Sequence, residues 1–330
     1  MAYWLPIIYV GIMGLALLIY VVLDGYDLGV GMLLPLADEA EKDMMIASIG
    51  PFWDANETWI VLGVGVLLIA FPLAHGVILT SLYVPATLML MGLILRGVAF
   101  DLRVKAGDQH KSLWNRAFFV GSLTAAIAQG WMLGAYVSGL RGDTTSLIFS
   151  ALIGLTLPAL YLVLACGWLM MKAEGSLLTK SIAWARGAIL PMGLGLLLVS
   201  IATPLVSNEI ADKWFSFPNA LYMAPIPLLS AACYAGIVML LRDDNGIYRG
   251  RGWRLFAATV AICVLATLGL AYSIFPDVII GQMSIWQAAA SVKSLTFTLV
   301  GVVLTVPVIL VYTVIVYRVF HGKATALSYE

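Results

Sequence analysis

Two short runs concentrate the acidic groups of this apolar chain beside long hydrophobic stretches. Asp24-Gly25-Tyr26-Asp27-Leu28-Gly29-Val30-Gly31 closes the first stretch, and Pro51-Phe52-Trp53-Asp54-Ala55-Asn56-Glu57-Thr58-Trp59 opens the second. Placing an ionisable side chain in hydrocarbon costs on the order of a few kcal/mol, so acids kept there point to function. The chemistry open to them is proton uptake and release along a buried polar path. Asp24 and Asp27 are three residues apart and share one face of a helix. Apolar residues precede them and resume beyond them, and acids near a helix C-terminus oppose the macrodipole, so a merely solvated helix end is the weaker reading. Gly25, Gly29 and Gly31 admit either tight helix packing or a kink beside the acids.

For Asp54 and Glu57 a plainer account stands beside the functional one. After Pro51 they occupy the first turn of the second stretch, where the helix dipole stabilises acids without any further role. Asn56 and Thr58 add neutral groups able to hold water. A third polar patch, Arg96 with Asp101 and Arg103, reads as a basic anchor at the inner end of the third stretch with a surface ion pair.

The elements that must position these residues are membrane spans. Of the chain's residues 62% are hydrophobic and 11% charged, against about 25% charged in a soluble domain. A bilayer core needs a run of about 20 apolar residues to be crossed as a helix. Such runs fall near 7–34, 53–72, 77–100, 115–139, 147–171, 181–205, 220–241, 253–275 and 294–320. The fold class is therefore all-α: a polytopic membrane protein of about nine transmembrane helices, with residues 1–330 forming one unit. Met1-Ala2-Tyr3-Trp4 lacks the basic region and cleavage site of a signal peptide, so the first run is expected to remain as a span.

Orientation follows from the basic residues, because short cytoplasmic loops retain Lys and Arg. With nine spans and an outer amino terminus, all of the 18 Lys and Arg except Arg141, Lys213 and Lys293 fall on inside segments. This places the carboxyl terminus in the cytoplasm and gathers all four acids toward that side. The loops, of at most about 20 residues, leave no room for a soluble catalytic or nucleotide-binding domain. No internal repeat stands out. Cys166, Cys233 and Cys263 lie inside spans without metal-ligand spacing and read as small packing residues. His75, His110 and His321 fall at membrane edges, so a haem with two axial histidines is not expected in this chain. No hydrolase, zinc or phosphate-binding motif occurs.

On these residues the chain resembles a known family. The runs Asp24 to Met32, Pro51 to Trp59 and Arg96 to Arg103 look like subunit II of the cytochrome bd-type quinol oxidases, in order and spacing. Ser284 to Ala290 and the last span, Val306 to Phe320, are similar to the same family; the middle matches in hydropathy and span count. The Asn56-Glu57-Thr58-Trp59 segment and short outer loops look most like the cyanide-insensitive branch.

The resemblance implies a haem-free chain in the bacterial plasma (inner) membrane. Its partner would be a larger subunit I carrying two b-type haems and haem d, or a b-type replacement. Quinol would be the substrate of the complex and dioxygen its oxidant. Small single-helix accessory subunits, lipid and quinone are further possible partners, whereas nucleic acid is not. Protons for water formation would be drawn from the cytoplasm and those of quinol released outside, giving a proton gradient without a pump. The family acid implicated in proton uptake corresponds to Asp54, with Asp27 and Asp24 matching the acidic motif before it. Glu57 extends the expected pathway, and Asn56, Arg96 and Asp101 are its supporting polar groups. Three departures stand out: Ala55 where many members have Gly, Phe52 where some have His, and Asp277 to Ile280 in place of a proline-rich segment. From the residues alone, a proton-coupled secondary transporter and a purely structural assembly subunit both remain open.

Overall fold

The computed structural model describes the backbone of residues 1–105 and 107–324, and within them all side chains except those of Val104, Asp108, Gln109 and Asp244. Among the described residues nine helices are long and apolar enough to cross a membrane. They run Trp4–Leu36, Trp53–Ala70, Tyr83–Arg103, His110–Val137, Thr144–Lys172, Gly175–Val206, Asn219–Leu240, Trp253–Ile274 and Val292–Val319, and are called spans 1 to 9 below. Each overlaps one of the nine expected runs.

The third run was expected from residue 77, but the chain breaks there. A separate helix occupies Pro72–Ser81 and span 3 begins at Tyr83. Pro85 accounts for the break, since it has no N–H to donate and its ring would clash with the carbonyl four residues earlier in a continuous helix. The connections also carry structure of their own. On the side where spans 1 and 2 join, Glu39–Ile49 forms a helix closed by a capping box, Asp38 accepting from the Glu41 N–H and Glu41 from the Asp38 N–H. That backbone bond holds the Asp38 carboxyl below its ordinary range. On the opposite side lie a short helix at Asn208–Phe215 and a two-stranded antiparallel hairpin, Asp277–Ile279 with Met283–Ser284.

Spans 1 and 5 form the middle of the bundle. Span 1 packs against spans 2, 4, 5 and 8, and span 5 also touches spans 4, 6 and 8. Small residues make the central crossing possible. A Cβ on Gly29 would lie 2.1 Å from the Tyr161 carbonyl oxygen and 2.6 Å from the Ala165 Cβ, so only glycine fits. The same holds where spans 3 and 4 cross, a Cβ on Gly121 meeting the Gly92 carbonyl oxygen at 2.6 Å. The helix of span 1 runs unbroken from Trp4 to Leu33. Of the two roles open to its glycines, close packing is the one realised. Outward faces remain apolar, with Leu155, Leu205 and Phe297 strongly exposed, as suits a chain solvated by lipid or by another membrane subunit.

Candidate functional site

The acids of span 1 face inward. Asp24 and Asp27 are both 0% exposed, although each sits amid apolar sequence. Their shared face is turned toward spans 2 and 3, and the partners come from there. Arg96 of span 3, itself 2% exposed, brings Nη1 to 2.7 Å from Asp24 Oδ1 and pairs through Nη2 with Glu57 of span 2. The contact to Asp24 is ionic and misaligned for a hydrogen bond, and the Arg96 Nε is left without an acceptor. A guanidinium is the right bridge here because it stays charged and spreads its donors over a planar fork.

Asp27 belongs to a second group. Asn56 of span 2 donates from Nδ2 to Asp27 Oδ2 at 2.8 Å and to the Tyr26 hydroxyl at 2.9 Å. Tyr317, near the end of span 9, donates to Asn56 Oδ1 at 3.1 Å, and its oxygen is 2.6 Å from that of Tyr26. These bonds use both ends of the Asn56 amide, Nδ2 donating to Asp27 and Oδ1 accepting from Tyr317. Aromatic rings close this group from below, Tyr26 stacking on Trp168 at 4.3 Å and Phe52 standing edge-on to Trp168 at 5.2 Å.

Exposure grades along the cluster. Asp54 is exposed, Glu57 has 28% of its side chain exposed, and Arg96, Asp24 and Asp27 are buried. Asp54 makes no side-chain hydrogen bond or ion pair among the described residues, but it lies three residues before Glu57 and interacts with it electrostatically. A tight crevice lined by Asp27, Ile49, Trp53, Arg96, Phe100 and Phe118 runs beside the cluster, without room for a water molecule.

A model of the cytochrome bd terminal oxidase subunit II family matches residues 5–320. The chain belongs to that family. Cytochrome bd-I ubiquinol oxidase subunit 2 of Escherichia coli K12 is 26% identical, the match covering 97% of this chain and 95% of that one. Cytochrome bd ubiquinol oxidase subunit 2 of Bacillus subtilis is 27% identical over 79% of this chain and 78% of its own. The structure of bd oxidase from Geobacillus thermodenitrificans superposes with a TM-score of 0.77 at 16% identity, covering 96% of this chain and 98% of that one, a likeness of fold. The chain is thus a multi-pass inner-membrane subunit of an oxidoreductase complex. Membership decides between the oxidase and the carrier that the residues alone left open.

For this subunit II, the structure brings Asp24, Asp27, Asn56, Glu57 and Arg96 together and leaves Asp54 at the margin. It corrects the reading of the third patch. Arg96 makes no surface pair with Asp101; it is buried and serves Asp24 and Glu57. Asp101 is exposed, and Arg103 bonds Asn115 at 2.6 Å and Asp43 at 2.7 Å. The reason is helical phase. Residues 96 and 103 are seven apart and share a face, whereas residue 101 points about 140° away. Sequence reasoning missed Tyr20, Tyr26, Gln129, Tyr161 and Tyr317 as members of the polar interior. Gln129 carried a usable signal, an amide in the middle of a span; the tyrosines, being ordinary in helix packing, carried little.

No group of three or more His, Cys, Asp or Glu among the described residues is placed to hold a metal ion. His75 lies on the helix before span 3, His110 at the start of span 4 and His321 beyond span 9.

Proposed function

We propose that this chain is the haem-free half of a quinol:oxygen oxidoreductase, stabilising a haem-bearing subunit I and supplying it with cytoplasmic protons for the reduction of dioxygen to water. The haems and the quinol site belong to the partner. Protons of quinol released at the outer face, with uptake at the inner face, would then build a gradient without a pump. The carrying observation is the graded series from exposed Asp54 through half-buried Glu57 to Asp24 and Asp27 at 0% exposure, bridged by a buried guanidinium.

Each group has a distinct part in this reading. Asp54 collects protons at the surface and raises their local concentration beside Glu57. Glu57 exchanges its proton with solvent and, through Arg96, senses the charge on Asp24. Asp24 and Asp27 hold the proton inside the bundle, where Asn56 and Arg96 keep their carboxylates from being left uncompensated. The inside-facing placement of these acids rests on the Lys and Arg distribution, with the amino terminus outside and the carboxyl terminus in the cytoplasm.

The test is turnover of the intact complex with its haem spectrum recorded alongside. Asp54→Asn is expected to slow quinol oxidation several-fold with the spectrum retained. Glu57→Gln should slow it further, because that residue touches Arg96 directly. Unchanged turnover with a normal spectrum in both variants would overturn the proton role; a lost spectrum would show that assembly depends on these acids.

A further inference from the structure

A chain of three neutral side chains leads away from Asp24 toward spans 4 and 5. Tyr161 of span 5, 0% exposed, donates its hydroxyl to Gln129 Oε1 of span 4 at 2.6 Å. Gln129 donates from Nε2 to the Tyr20 hydroxyl of span 1 at 2.8 Å. Tyr20 is 3% exposed and one helical turn before Asp24, on the same face, and the two interact electrostatically. Both Asp24 oxygens lack a well-formed hydrogen bond in this arrangement, which leaves a carboxylate available to a donor. The Tyr20 hydroxyl, already accepting from Gln129, has its own hydrogen to give.

We infer that Gln129 is a positioning residue for Asp24, and that the Tyr161–Gln129–Tyr20 chain switches its hydrogen-bond direction with the charge on Asp24. The inference rests on the proton-path reading above for its link to turnover. With Asp24 ionised, Tyr161 donates to Gln129, Gln129 to Tyr20, and Tyr20 to the carboxylate. With Asp24 protonated, its O–H donates to the Tyr20 oxygen and the Tyr20 hydroxyl turns to the Gln129 oxygen. The Gln129 amide then rotates to donate to Tyr161. No bond to hydrogen is exchanged along the chain, because an amide N–H donates without releasing its proton. The proton stays on Asp24 and does not leave through this branch. The chain is therefore a closed end that orders Asp24 and does not conduct.

The groups around Asp24 make this branch separable from the others. Tyr20 and Asp27 share its helix, Glu57 faces it from span 2, Arg96 from span 3 and Tyr161 from span 5, with Cys263 of span 8 beyond Tyr161. Gln129 lies on the Tyr20 side and the ion pair is made by Arg96, so a change at Gln129 alters one branch and leaves the ion pair in place.

The experiment is difference infrared spectroscopy of the intact complex across pH, with the Asp24 carboxyl band assigned by its loss in Asp24→Asn. In Gln129→Leu the band should move and turnover should fall about tenfold, the scale of one hydrogen bond to a charged group. Tyr161→Phe removes only the terminal hydroxyl and should move the band in the same sense, which keeps the test available if Gln129→Leu does not assemble. An Asp24 band indifferent to both substitutions, or no Asp24 band at any pH, overturns the inference. A band that moves while Asp24→Asn leaves turnover unchanged sustains the hydrogen-bond chain and overturns the proton-path reading instead.

Discussion

The polar interior of spans 1 to 4 and that of spans 6 and 8 contrast in where their hydrogen bonds go. Asn56 reaches from span 2 to span 1, Arg96 from span 3 to spans 1 and 2, and Gln129 from span 4 to spans 1 and 5. In spans 6 and 8 the fully buried hydroxyls turn back on their own helices, Ser181 to the Leu177 carbonyl at 2.7 Å and Thr259 to the Leu255 carbonyl at 2.8 Å. A back-bonded hydroxyl satisfies itself locally and says nothing to its neighbours. A group bonded across helices fixes two helices relative to one another and responds when either partner changes charge. The difference marks spans 1 to 4, the first bundle, as the responsive part of the molecule and spans 6 and 8, the second bundle, as packing.

The comparison can be broken most severely at Arg96. Arg96→Leu leaves Asp24 buried without its counter-charge, and stability should fall by about 3–5 kcal/mol, seen as loss of the assembled, haem-bearing complex. Adding Asp24→Asn and Glu57→Gln should restore part of the assembly but not the turnover. Gly29→Ala comes next, since its Cβ would strike backbone on span 5; a loss of about 1–3 kcal/mol is expected for such overpacking, read as a lower melting temperature of the complex in detergent. Tyr317→Phe should cost about 1 kcal/mol, because Asn56 Oδ1 loses its donor, and turnover should drop with it if span 9 helps hold Asp27. The smallest effect belongs to the second bundle. Thr259→Val should change stability by less than about 1 kcal/mol and leave turnover as it was. A large loss there, comparable with that at Arg96, would erase the distinction between the bundles.

Much of the fold was legible in the chain because a bilayer imposes length and composition directly. Each of the nine runs became a helix, and the boundary that moved from residue 77 to Tyr83 lies where Pro85 interrupts the backbone. The acids of the first two motifs were legible too, since charge amid apolar sequence is conspicuous. Arg96 was seen but misassigned. Its nearest acid in sequence is Asp101, its partners in space are 72 and 39 positions away, Asp24 and Glu57, and only the crossing of three helices could bring them together. Asp54 shows the converse. The motif singles it out, yet the helix phase turns it to the surface and turns Asn56 inward.

What the sequence alone determined is the solvent, the number of spans, the polarity of the basic residues and the family to which its motifs belong. These follow from hydropathy and from short local patterns, which need no knowledge of neighbours. What only the tertiary structure decided is which acid meets which base, which amide bonds to which carboxylate, and how glycines at the crossing of spans 1 and 5 let the polar groups close on one another. Those are properties of helix rotation and close approach. A one-dimensional pattern names the face of each helix but not the face set against it.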